Sequence, residues 1–173
     1  MKKILSIALA TTLLASFSAT AQDDKSKRPS PPAVATETIK SGATVTIDYS
    51  QPSIKGRTIG KDLEPKDGQV WRAGANEATT FEVDKDVMVE GQALPKGKYS
   101  LFTIKNGDDW TIIFNKTAKQ WGAYKYAEAE DQLRVKAKGA KTAKFYEQMT
   151  FSISKAGEVS LMWGDMQVNF WVK

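Results

Sequence analysis

The chain of 173 residues contains no histidine and no cysteine. Without them it cannot assemble Ser-His-Asp or Cys-His catalysis, a Cys/His zinc cluster or a disulfide framework. After the first residues there is no long apolar run, so nothing later in the sequence reads as a membrane span. Neither sign of charge dominates: 25 basic residues face 20 acidic ones. Lys136, Lys138, Lys141 and Lys144 form the one dense basic cluster, which fits a solvated edge strand or loop better than a nucleic-acid surface.

Lys2 and Lys3 precede an apolar stretch from Ile4 to about Phe17, followed by Ala19-Thr20-Ala21. A basic start, a short apolar run and small residues at the cleavage positions predict a signal peptide over residues 1–21, cut between Ala21 and Gln22. A retained anchor is the competing reading, but Ser6, Thr11, Thr12 and Ser16 interrupt a run already short for a span. No cysteine follows to carry a lipid anchor, so the sequence predicts a soluble protein of the periplasm or beyond, with no membrane span after cleavage. Losing Lys2 and Lys3 lowers the formal net charge from +5 to +3.

Residues 22–35 are charged, rich in proline and almost free of large apolar side chains, which predicts a disordered leader. From residue 36 to 173 the pattern is that of a single domain. Val45, Ile47 and Tyr49 alternate with Thr44, Thr46 and Asp48 as in a half-buried strand. Further strands are predicted at Thr79–Val83, Val87–Val89, Lys98–Ile104 and Trp110–Phe114, around Leu133 and Val135, and from Met149 to Ile153. Val159, Leu161 and Trp163 then turn at Gly164-Asp165 into Val168, Phe170 and Val172. Lys98–Ile104 is apolar on both faces and so belongs in the centre of a sheet, and Asn106-Gly107 marks a tight hairpin. Only Thr142–Met149 and Ala127–Gln132 have helical composition. About nine short strands with frequent turns predict an all-β fold, an antiparallel β-sandwich of jelly-roll-like kind. Ser50–Gly68 and Asn115–Asp131 are long connections, where function tends to sit.

Five ordered blocks carry a family resemblance: Tyr49-Ser50-Gln51-Pro52, Lys55-Gly56-Arg57, Val70 to Thr79, Leu94 to Phe102, and Trp121-Gly122-Ala123-Tyr124. The chain resembles, from about Ile39 onward, the DUF2911 family of exported bacterial proteins of uncharacterised function. That resemblance implies export and assigns no activity and no catalytic residue.

Trp71 to Thr79 packs Arg72, Asn76 and Glu77 into a glycine-containing segment without strand or helix period. Arg57 and Arg72, with Lys55 and Asn76, can form an anion-reading pocket, because guanidinium presents a planar fork of donors. Against this stands a brace in which Arg72 and Glu77 pair and hold the loop. Glu77 with Asp131 would suit acid-base work on a sugar if the two carboxyls met. Trp71, Trp110, Trp121, Tyr124 and Tyr126 offer a stacking platform. Trp110 falls in phase with a core strand, leaving Trp121 and Tyr124 as the better ligand contacts or as a plug closing one end of the sandwich. Asp84, Asp86 and Asp108-Asp109 fit turns more simply than calcium, so no metal and no cofactor are assigned.

Three functions remain open: a ligand-binding or interaction module using Arg57, Arg72, Asn76, Glu77, Trp121 and Tyr124; a small hydrolase or lyase with Glu77 as base and Arg72 holding an anionic substrate; and a structural envelope protein. The partner would be a small molecule, a glycan or an envelope protein, and not nucleic acid.

Overall fold

The computed structural model describes residues 24–173. The predicted signal peptide and its cleavage point lie outside the described residues. Ten strands follow in chain order: β1 Pro32–Thr38, β2 Thr44–Ser50, β3 Val70–Trp71, β4 Thr80–Val83, β5 Val87–Val89, β6 Gln92–Leu94, β7 Gly97–Asn106, β8 Asp109–Asn115, β9 Asp131–Ile153 and β10 Glu158–Trp171. The fold is all-β, and its strand pairs are antiparallel.

The main sheet runs β1-β2-β4-β7-β8-β9-β10, with β3 added beside β7, and β5 with β6 forms a small second sheet. Its order is nearly that of the sequence, as short hairpin connections favour. The strand apolar on both faces, β7, is the middle one of the seven, as predicted. The tight turn lies one residue beyond the Asn-Gly pair: Asn106 faces Asp109 across the ladder, so Gly107 and Asp108 are the turn residues. Gly107 supplies the positive φ there.

The long strand β9 joins two layers. Its first part, Asp131–Lys138, pairs with β8, and the stretch from Gly139 to Ile153 pairs with β10. Strand β10 then returns across the first layer. Phe170 meets Phe81 and Phe114, Trp163 stacks on Trp71 at 6.0 Å, and Phe151 meets Tyr49 edge-on. The residues expected in the core, Leu101, Phe151, Leu161 and Phe170, are at most 4% exposed.

Four sequence expectations need correction. Strand β1 takes in Pro32–Ala35, positions assigned above to a disordered leader. Few apolar side chains are needed because β2 supplies the ladder, and prolines are tolerated on an edge strand. Thr142–Met149 is not helical but lies within β9, where a register shift opposite Gly164 bulges the strand. Short segments of helical composition do not nucleate helix against an available ladder. Ala127–Gln132 contributes one 3₁₀ turn, Glu128–Glu130. Gly164-Asp165 is not a turn: Gly164 takes positive φ inside a continuous β10, and the reversal comes earlier, between β9 and β10.

Two features of this sheet set up the site. The first is the phase of β1. Gln51 N donates to Pro31 O and Ile39 N to Ala43 O, which makes the odd residues of β1 the ones bonded to β2. The second is partial cover of the outer face. Phe102 and Ile113, on that face of β7 and β8, are sealed by Ala78, Ala123 and Tyr126. Tyr126 is locked there by its hydroxyl, which donates to Asp131 at 2.6 Å, while Asn115 donates to the other Asp131 oxygen. Burial, then the hydrogen bond and charge of Asp131, push the Tyr126 hydroxyl up to about 12. The cover stops at β7, leaving the outer faces of β4, β2 and β1 open.

Candidate functional site

On that open part of the sheet the cross-strand registers align one row: Val34 faces Asp48, Asp48 faces Thr80 and Thr80 faces Ser100. Ser100 is roofed, its hydroxyl donating to Thr117 O. Val34, Asp48 and Thr80, with Lys98 one pair along, remain as the floor of an open groove of about 600 Å³. One wall is the run Ala118–Trp121, and the other is the segment before β1, through Lys25 and Arg28.

The floor is polar and held in place. Lys98 Nζ donates to Asp48 Oδ2 at 3.0 Å and lies 3.1 Å from Glu82 Oε2, and Thr80 Oγ1 donates to the same Asp48 oxygen at 3.3 Å. The Asp48 hydrogen bond, then that of Glu82, raises the Lys98 ammonium above its ordinary range against the cost of burial. Among the described residues both hydrogen bonds given to the Asp48 carboxylate go to Oδ2, and none goes to Oδ1.

Glu77 and Asn76 fasten the second wall. Arg28 Nη1 donates to both Glu77 oxygens, at 3.1 and 2.9 Å, and Lys25 Nζ lies 2.9 Å from Oε1. Asn76 Nδ2 donates to Ser30 O at 3.1 Å, and Arg28 also lies over the Trp121 ring at 5.9 Å. The loop geometry makes this possible: Asn76 takes a positive φ of 58°, and Gly122 N donates to its carbonyl while Glu77 bridges to Trp121. Burial alone would raise the Glu77 carboxyl. Hydrogen bonds from Lys25, from its own backbone N–H and from Arg28 outweigh it and hold the group at about 2. A carboxyl that acidic is a poor proton acceptor near neutrality.

Of the residues singled out in the sequence, Glu77 and Trp121 line the groove and Asn76 anchors its wall, while Arg57, Arg72 and Tyr124 are not among its lining residues. Arg57 clamps its own loop, donating to Ile54 O and Ser53 O. Arg72 does not pair with Glu77, so the proposed brace between them is absent. Its Nε is buried without a partner, and burial lowers the guanidinium, offset by the charges of Tyr124 and Glu64. Tyr124 is 87% exposed, its ring beside Gly122. Asp131 is committed to Tyr126, Asn115 and Arg134, so Glu77 and Asp131 do not form a carboxylate pair.

Asp84 and Asp86 accept backbone N–H groups of Thr44 and Lys96, and Asp109 pairs with Lys138. No group of three or more potential metal-ligating side chains occurs among the described residues.

The sequence reading missed Lys25 and Arg28, set aside with the leader, Asp48, placed on the polar face of its strand, and Thr80 and Lys98, given no role beyond their strands. The alternation put Asp48 on the outer face. Which strands would stand beside it is not written in any local pattern.

These features define an antiparallel all-β domain with a polar groove on the uncovered end of its outer face. The chain belongs to the family described as Protein of unknown function (DUF2911), whose model matches residues 30–172. No curated protein and no solved structure matches the chain. The match takes in the groove floor and the Trp121 wall, and begins after Lys25 and Arg28.

Proposed function

We propose that this protein is an exported binding module that holds a small molecule in the groove between Trp121 and the segment before β1. The observation that carries the reading is the floor, where Asp48, Thr80 and Lys98 are fixed by one another and left open to solvent beside an exposed indole. Small-molecule sites combine a concave surface of about 300–1,000 Å³ with a few placed polar groups, and this groove has both. Glu77 serves the module by holding a wall. The arrangement favours binding over acid-base chemistry at Glu77, because its two cations keep the carboxylate ionised and occupied. Export rests on Lys2, Lys3, the apolar run and Ala19-Thr20-Ala21.

Two measurements test this. A thermal-shift screen against a library of small metabolites is expected to return compounds whose stabilisation vanishes in Trp121→Ala and Asp48→Asn variants of unchanged melting temperature. Hits indifferent to both variants would remove the groove from the function. Mass spectrometry of exported protein is expected to give a chain beginning at Gln22, and a product still carrying Lys2 would overturn export with cleavage.

A further inference from the structure

Resting on the groove assigned above, we infer that its ligand is a neutral oligosaccharide. The first observation is electrostatic. Three of the four cations that line the groove are already matched: Lys98 lies within 3.1 Å of both Asp48 and Glu82, and Lys25 and Arg28 each lie 2.9 Å from Glu77, whereas Lys119, in the Trp121 wall, is exposed and makes no ion pair among the described residues. An incoming anion would find one exposed, solvated cation, Lys119, not already paired among the described residues, and two carboxylates, Asp48 and Glu77, in the lining. A small anion therefore gains little here, since separating a fixed pair returns the charge it was meant to meet.

The second observation concerns hydrogen bonding. Asp48 offers the lone pairs of Oδ1, Thr80 a hydroxyl and Lys98, from the adjacent pair, a spare ammonium proton, all already oriented by mutual bonds. A sugar hydroxyl is both donor and acceptor. It can give its proton to Asp48 while taking one from Lys98, so each group is used without forcing a net charge into the groove.

The third observation is apolar. Trp121 is 56% exposed, with Arg28 over one side of its ring, and Pro32, Val34 and Ala118 add apolar surface to the lining. A pyranose ring presents a face of C–H groups and an equator of hydroxyls. It is amphipathic in the sense that an indole wall beside a charged floor requires. The groove is open rather than enclosed, so a chain of sugars can pass through it.

The same indole provides the readout. Trp71, Trp110 and Trp163 are at most 2% exposed and Trp171 is 40% exposed, so in a Trp171→Phe background emission changes report chiefly on Trp121. The protein is titrated with cello-, xylo-, manno-, malto-, laminari- and chito-hexaose, and in parallel with inorganic phosphate and citrate. A saturable shift is expected with at least one hexaose, weaker with the matching disaccharide. Isothermal titration with that hexaose should show a loss of at least tenfold in affinity for Trp121→Ala and Asp48→Asn, with Trp121→Phe retaining most of it. A merely structural tryptophan would not separate Ala from Phe in proteins of equal melting temperature. Saturation by phosphate or citrate with no response to any hexaose would overturn the oligosaccharide class and leave the binding groove standing. Silence toward all eight probes would overturn this inference, and the metabolite screen then decides separately whether the groove binds at all.

Discussion

Glu77 accepts the cations of a segment some 49 residues upstream, and almost everything expected of it follows from that contact. Its carboxyl is held at about 2, below its ordinary value of 4.5. A depressed carboxyl stabilises the fold in its ionised form. The contribution is therefore complete above about pH 4.5 and is lost as the pH falls toward 2. The side chain is 38% exposed, so solvent screens the pair and limits its worth to about 1 kcal/mol. Glu77→Gln should lower the melting temperature at pH 7 by about 2–4 °C, with wild type and variant converging by about pH 2. A gap that persists at pH 2 would mean that the substitution acts through something other than charge. Limited trypsin digestion should also cut the variant faster after Lys25 and Lys27, because the segment has lost its anchor. Arg72, by contrast, carries a buried Nε without a partner, and nothing in the structure explains it.

Among the elements, β9 and β10 depart most from a regular hairpin, and glycine makes the departure possible. Gly157, in the reversal between them, has a φ of +96°, and a Cβ there would overlap the carbonyl oxygen of Val172. Gly157 O also accepts Val172 N, so the last strand is tied to this turn. Gly157→Ala should cost about 3 kcal/mol through strain and displacement of that strand, measured by urea unfolding. A cost below about 1 kcal/mol would show that the turn yields freely. The sequence gives a clear account of elements such as β2 and β7, whose alternation or two-faced apolarity reflects only their own burial. It gives a poor account of β9, where Lys136, Lys138, Lys141 and Lys144 keep a strand polar and the bulge breaks its period. A strand specified by two neighbours needs little apolar signature of its own. The same reason hid the groove: Val34, Asp48 and Thr80 meet through registers of separate pairs, and only Trp121 and Glu77 advertised themselves locally.

For the molecule as a whole, the inner faces of the two layers meet through aromatic side chains. Phe170 packs against both Phe81 and Phe114 and is 2% exposed. Phe170→Ala or Phe151→Ala should each cost about 3–5 kcal/mol, a large part of the stability of a domain this size. Chemical denaturation measures this directly, and a loss below about 1 kcal/mol would contradict the inward phase of these strands. Among the described residues no helix is long and apolar enough to cross a membrane.

Strand β9 is bonded to one layer through its first half and to the other through its second. A single backbone thus belongs to both halves of the protein, and neither half can open without disturbing the other. Amide hydrogen exchange should then show one shared opening, with Val135 amide protection on the β8 side and Phe151 protection on the far side lost at the same denaturant concentration. Two separate openings would mean that the bulge between them uncouples the layers. If they open together, any molecule that settles on the groove floor slows exchange throughout the domain, including at positions it never touches.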